Sequence, residues 1–184
     1  MTFYSPSYDE VEEKAMSDLE ARLGRLEDIE EIRKLKHYHY ARCIDRMVCL
    51  HDGKAISETI SRFTEDIVID FTGFPVLTGK EAVAKFFREG VPSWLSWCQH
   101  RVMNEVIEIE GDSARAEWYF DCPAFFRGGI TARVSGSGLV AGRYREEYIR
   151  EDGVWKWKRI EAQLDVSHKL KNAFNEATFV EKNR

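Results

Sequence analysis

The 184-residue chain predicts an α+β fold in which an antiparallel sheet is covered on one face by helices. Three observations predict it. Leu19, Leu23, Leu26, Ile29, Ile32 and Leu35 recur at spacings of three and four, the period of an amphipathic helix. After Pro92 the pattern changes to strand-length alternation, starting with "QHRVMNEVIEIEG". Two such runs flank Asp152-Gly153, a strong short hairpin signal.

Residues 1–16 are polar, carry a Ser-Pro step and read as a flexible arm. The first helix starts at Ser17, with charges filling the positions between its leucines. Gly24 costs it about 1 kcal/mol against Ala. Its apolar stripe is read as packing on its own domain, with a second subunit as the alternative. The pattern continues through "HYHYARCID" and fades near His51-Asp52-Gly53. A second helix is expected over 54–63, where Ala55, Ile56, Ile60 and Phe63 share a side. "EDIVIDFTG" is a strand stopped by Gly73. "TGKEAVAKFFREGV" is a short helix that Thr78 would cap, with Glu81 three residues on.

The alternating run ends at a Gly-Asp turn, and "DSARAEWYFDCPAFF" returns as the next strand. "RGGITARVSGSG" lacks the strand-loop-helix setting of a phosphate loop. It reads as a flexible connection that can lid a cavity. "LVAGRYREEYIREDG" and "VWKWKRIEAQLDV" complete the hairpin. The domain spans 17–166, and 167–184 form a tail or short helix. No repeat or second domain is visible.

The totals narrow the function. Hydrophobic residues make up 43% and aromatics 12%, enough for a packed core. The net charge is −5 and no basic stripe stands out, which argues against a nucleic-acid partner. No apolar run reaches about 18 residues, so no membrane span is expected. The N-terminus lacks the order of a signal peptide. Cys43, Cys49, Cys98 and Cys122 contain no C-x-x-C pair, and no His stands near two of them in a zinc pattern. A cytoplasmic protein with reduced thiols and no metal follows. His37 and His39 are two apart on a helix and diverge, so with His51 they read as surface or interface residues.

Helices followed by a sheet that ends in "REEYIREDGVWKWKRI" resemble the nuclear-transport-factor-2-like cone fold. Within it the chain resembles the SnoaL-like group, which includes scytalone dehydratase, bile-acid 7α-dehydratase and hexachlorocyclohexane dehydrochlorinase. The resemblance covers about 28–165. It implies a curved, mixed or antiparallel sheet closed by N-terminal helices around a cavity. It also implies an Asp near the end of the first long helix and a His at the start of a central strand. "YARCID" supplies Asp45 and "WCQHRVMNEV" supplies His100. Imidazole is suited to move a proton near neutrality, and the carboxylate would fix its tautomer. An Asp at a helix C-terminus opposes the helix dipole, which favours a functional reason for it.

The resemblance places Tyr40 at an active-site tyrosine of bile-acid dehydratase, where the dehydrochlorinase has lysine. Helical geometry puts Tyr40 about 140° from Asp45 and Tyr38 nearly on the same face, so Tyr38 is the rival. Asp121 lies near an active-site Asp of bile-acid dehydratase. Alternation sets it opposite Trp118 and Phe120, unless a bulge near Pro123 turns it inward. Ala124 stands where scytalone dehydratase has a second histidine, which argues against scytalone as substrate. Phe71, Trp97, Trp118, Phe125 and Phe126 are candidate cavity walls.

The implied function is a cofactor-independent lyase of the dehydratase kind, acting on a small hydrophobic ring compound. Isomerisation, polyketide-type cyclisation and dehydrohalogenation share its first step. The alternative class is a non-catalytic binder or a structural subunit, as in the β subunit of ring-hydroxylating dioxygenases. Relatives imply a homo-oligomer, a trimer or dimer.

Overall fold

Helix α1 (Tyr8–Lys34) opens the computed structural model, which describes residues 8–127 and 136–169. Part of the expected arm, most of the glycine-rich connection and the chain after 169 lie outside the described residues. The helix begins well before Ser17. Leu19, Leu23 and Leu26 are each more than half exposed, so the stripe does not lie on its own domain there. The last turns do pack. Ile32 is fully buried, and Asp28 accepts hydrogen bonds from Arg150 (2.6 Å) and Trp155 Nε1 (3.1 Å).

A π-helical stretch, Leu35–Arg42, joins α1 to α2 (Cys43–Leu50). His51 ends α2 in the left-handed region, with φ at 54°. Asp52 then caps α3 (Gly53–Ser61) by accepting from the backbone N–H of Lys54 and Ala55. Strand β1 (Phe63–Phe71) and the short β2 (Leu77–Thr78) follow. Helix α4 (Lys80–Lys85), a second π-helical stretch (Phe86–Gly90) and α5 (Val91–Trp94) form the next block. Thr78 does not cap α4. Gly79 takes that place at φ 89°, a conformation that favours glycine, and no side chain bonds to the helix start.

The remaining strands are β3 (Leu95–Cys98), β4 (Arg101–Glu110), β5 (Ser113–Phe126), β6 (Gly136–Glu151) and β7 (Val154–Lys169). The sheet order is β2-β1-β7-β6-β5-β3, with β4 also on β5. Among the described strands β1 and β7 run parallel and the other pairs antiparallel. Asp152 and Gly153 both have positive φ, as a two-residue hairpin between twisted strands requires.

Curvature has a visible cause. The β6–β7 register shifts between Ala141 and Gly142. A Cβ on Gly142 would stand 2.0 Å from the Gln163 carbonyl oxygen, so only glycine fits this bend. The concave face carries Trp118, Tyr144, Tyr148, Trp155, Trp157 and Ile160, all buried against the helices. β3 and β4 lie one after the other along β5. The two residues between them, Gln99 and His100, therefore sit at the sheet's edge facing α2.

Candidate active site

Asp45 lies in the first turn of α2, and the helix runs on to Leu50. It is not the last helical residue, so the dipole argument for it does not apply. Its position is explained instead by what it holds. The carboxylate accepts the backbone N–H of His100 at 2.9 Å and meets the ring Nδ1 at 2.6 Å. It also accepts the Cys98 thiol at 3.3 Å. A carboxylate facing Nδ1 places a proton there and leaves Nε2 as the free nitrogen. The Asp45 and His100 side chains are 21% and 12% exposed, so neither is bathed in bulk water.

His100 opens on a cavity of about 170 Å³. An apolar cavity of roughly 150 Å³ holds benzene, so the space suits one substituted ring. Phe71, Phe86, Trp94, Phe120 and Phe126 are among the aromatic residues of its wall, and Tyr40, Tyr144, Thr72 and Ser167 bring hydroxyl-bearing side chains to it.

Tyr40 is 3% exposed and its ring lies 6.4 Å from that of His100. Tyr38 is half-buried, packs edge-on to His39 and is not part of the lining. The π-helical stretch is the reason. The Cys43 N–H bonds back to Tyr38 O, five residues earlier. This wider turn brings residues five apart, such as Tyr40 and Asp45, toward one side. The angle expected from 3.6 residues per turn does not hold there.

Asp121 is placed outside the cavity, away from His100 and Asp45. β5 pairs with β6 without a register shift over its whole length, so Pro123 makes no bulge. Phe120 and Cys122 point inward, while Asp121 pairs with Arg101 on the outer face. Phe71 and Phe126 line the cavity. Trp97 and Phe125 do not, and Trp118 is core beneath His37, 5.4 Å between ring centroids. His37 and His51 are exposed, and half-buried His39 faces Glu58 at 4.0 Å. Ala124 is fully buried.

The thiols were the missed neighbours. Asp45, Cys98 and His100 bring ligand-type atoms within 4.8 Å of one another, a set able to hold a cation. His100 also lies close enough to Cys122 for their charges to interact, so it stands beside two cysteines despite the sequence spacing. The carboxylate is nevertheless satisfied by His100 and Cys98 alone. Burial lowers the His100 pKa, but Cys122 and Asp45 outweigh it and lift it to about 10. The adjacent Cys98 side chain, then the nearby His100 charge, take the Cys122 thiol down to about 5, against its burial.

A prediction follows from the pair. Cys122→Ala removes an anionic partner, and the imidazolium loses that support. The His100 pKa should fall toward the ordinary value near 6.5. A ring-proton NMR titration of His100 checks this without any substrate. An unchanged midpoint would show that Cys122 does not tune it.

The SnoaL-like domain profile matches residues 24–161. Among solved structures, a scytalone-dehydratase-like protein from Novosphingobium aromaticivorans is 19% identical, with a TM-score of 0.65 over 80% of this chain and 90% of that one. The type 2 hexachlorocyclohexane dehydrochlorinase is 18% identical, with a TM-score of 0.69 over 89% and 99%. A protein described as an aromatic ring hydroxylase, also from N. aromaticivorans, is 25% identical, with a TM-score of 0.61 over 77% and 91%. No curated protein sequence matches the chain. The likenesses establish the nuclear-transport-factor-2-like cone fold.

Proposed function

We propose, for a chain that belongs to the SnoaL-like domain family, a cofactor-independent lyase reaction of the dehydratase kind on a small, mostly apolar ring compound. The observation that carries this reading is the 2.6 Å contact of Asp45 with His100 Nδ1 at the wall of an aromatic cavity. The dehydratase and dehydrochlorinase names among the neighbours agree with it.

In this reading His100 Nε2 takes a proton from a ring carbon beside a carbonyl. Asp45 supports the imidazolium that forms, as a triad aspartate does. Tyr40 donates its hydroxyl to the developing oxyanion. Burial, then the Glu146 charge, raise the Tyr40 pKa, so it stays a protonated donor. The imidazolium next gives its proton to the hydroxyl on the neighbouring carbon. That C–O bond breaks, the C=C bond forms and water leaves. The dry wall strengthens each of these interactions. Among the described residues no helix is long and apolar enough to cross a membrane. The exposed Leu19, Leu23 and Leu26 support a homo-oligomer.

The test uses cyclic β-hydroxyketones in D₂O, followed by NMR. The reading expects exchange of the carbon-bound proton together with loss of water. Exchange without loss of water would move the assignment to an isomerase or cyclase with the same dyad. Absence of both across single-ring and two-ring members would remove proton abstraction from the account.

A further inference from the structure

Behind the cavity wall lies a charge pair that the proton-transfer scheme does not use. Lys36 and Glu146 are both 0% exposed, with Nζ 2.6 Å from Oε1. Taking two such charges out of water costs several kcal/mol each, and apolar residues of similar size would pack at no loss. The position of the pair is specific. Lys36 Nζ lies 3.9 Å from the Tyr40 ring centroid and 3.2 Å from that of Tyr144. Glu146 takes the Tyr148 hydroxyl on its other oxygen. Tyr144, Glu146 and Tyr148 alternate on the concave face of β6, and Lys36 is one helical turn before Tyr40.

The two tyrosines that cover the ammonium both line the cavity beside His100. Their rings meet edge-on at 5.6 Å. We propose that Tyr144 joins Tyr40 as a second hydroxyl donor to a substrate oxygen, and that the buried Lys36–Glu146 ion pair is the positioning element behind both. A cation held against both ring faces locks the two rings in place. Two hydroxyls held in place this way can both reach an oxyanion in the cavity, where a hydrogen bond to a charged acceptor is roughly twice as strong as one between neutral groups. Glu146 compensates the buried charge, and a neutral ligand lacks the charge that strengthens bonds from the two hydroxyls. The ligand class is therefore a ring compound bearing an enolate-like or phenolate-like oxygen. This rests on the reading of the cavity as a proton-transfer site.

Binding of 4-nitrophenolate and of neutral nitrobenzene, read by quenching of tryptophan fluorescence, tests the proposal. The wild type should prefer the anion. Tyr144→Phe should reduce that preference about tenfold, the weight of one charge-assisted hydrogen bond. Lys36→Met with Glu146→Gln removes both charges and keeps an acceptor for Tyr148. It should cost a similar factor for the anion and leave nitrobenzene unchanged. Equal binding of both probes by the wild type would overturn the proposal. So would a full anion preference in Tyr144→Phe, or a parallel loss for both probes in the double variant. If the double variant fails to fold, Tyr144→Phe decides. His100→Ala separates the two readings. Turnover that survives it removes the dyad, while the probe preferences of the Lys36 and Tyr144 variants stand or fall on their own.

Discussion

Replacing His100 by alanine is expected to slow turnover by about 10²–10⁴-fold, the usual weight of a positioned acid–base group. Asp45→Asn should cost about as much, for a reason visible in the contacts. The carboxylate receives donors on both oxygens, the His100 backbone N–H and ring Nδ1 among them. An amide turns one of those acceptors into a donor. It would set an NH₂ against a donor from His100 and favour the wrong tautomer. The two variants should differ in titration. In Asp45→Asn the His100 pKa should drop, because an anionic partner is gone. Full activity in both variants would remove the dyad from the mechanism.

The same histidine couples folding to pH. The His100 pKa is raised from 6.5 to about 10 in the folded chain. A raised pKa means that the folded state binds the proton more tightly than the unfolded one. The resulting stability is fully present below pH 6.5 and is lost as pH rises through about 10. Activity runs the other way. A base must be neutral to accept a proton, so turnover should climb with pH toward the same midpoint. Denaturant unfolding and pH–rate profiles would read the two opposed limbs from one group.

The sheet was legible because its signals are local. Alternation marks β4 to β7, and Asp152-Gly153 marks the turn whatever surrounds it. β2 and β3 were not legible, since two and four residues are too few to show a period. Asp45 and His100 stood out by residue type once the chain resembled a family with that pair. Tyr40 against Tyr38 could not be decided from spacing. The π-helical stretch changes the phase, and nothing in "LKHYHYAR" announces it. Trp118 and Asp121 show the limit of alternation. It sorted the faces of β5 correctly, but Trp118 on the inward face lies in the core beside the cavity. Cys98 and Cys122 are distant in sequence and meet because β3 lies along β5. Lys36 stands in a run of charged residues, where a lysine reads as solvated. Its burial follows only from its phase with Ile32 and Tyr40, and from Glu146 alternating between two buried tyrosines.

Lys36→Met alone is expected to destabilise the fold by about 3–5 kcal/mol, because it strands Glu146 as an unpaired buried charge. For a chain of this length that is a fall in Tm of roughly 10 °C. The double change with Glu146→Gln should recover most of it, since the penalty lies in the orphaned carboxylate rather than in the missing amine. A strictly local role for the lysine would make the double variant no better than the single one. Wild-type pH dependence gives an independent reading. Burial, opposed by Glu146, lowers the Lys36 pKa from 10.5 to about 8. Between those values the unfolded chain holds a proton that the folded chain has released, so this group makes stability rise with pH across that window. Chemical denaturation at intervals from pH 7 to 10.5 should show that rising contribution as a difference between wild type and double variant, superimposed on the falling limb that His100 gives to both. Identical profiles would mean that the lysine keeps an ordinary affinity for its proton, and that the cavity floor is not the low-dielectric site its complete burial implies.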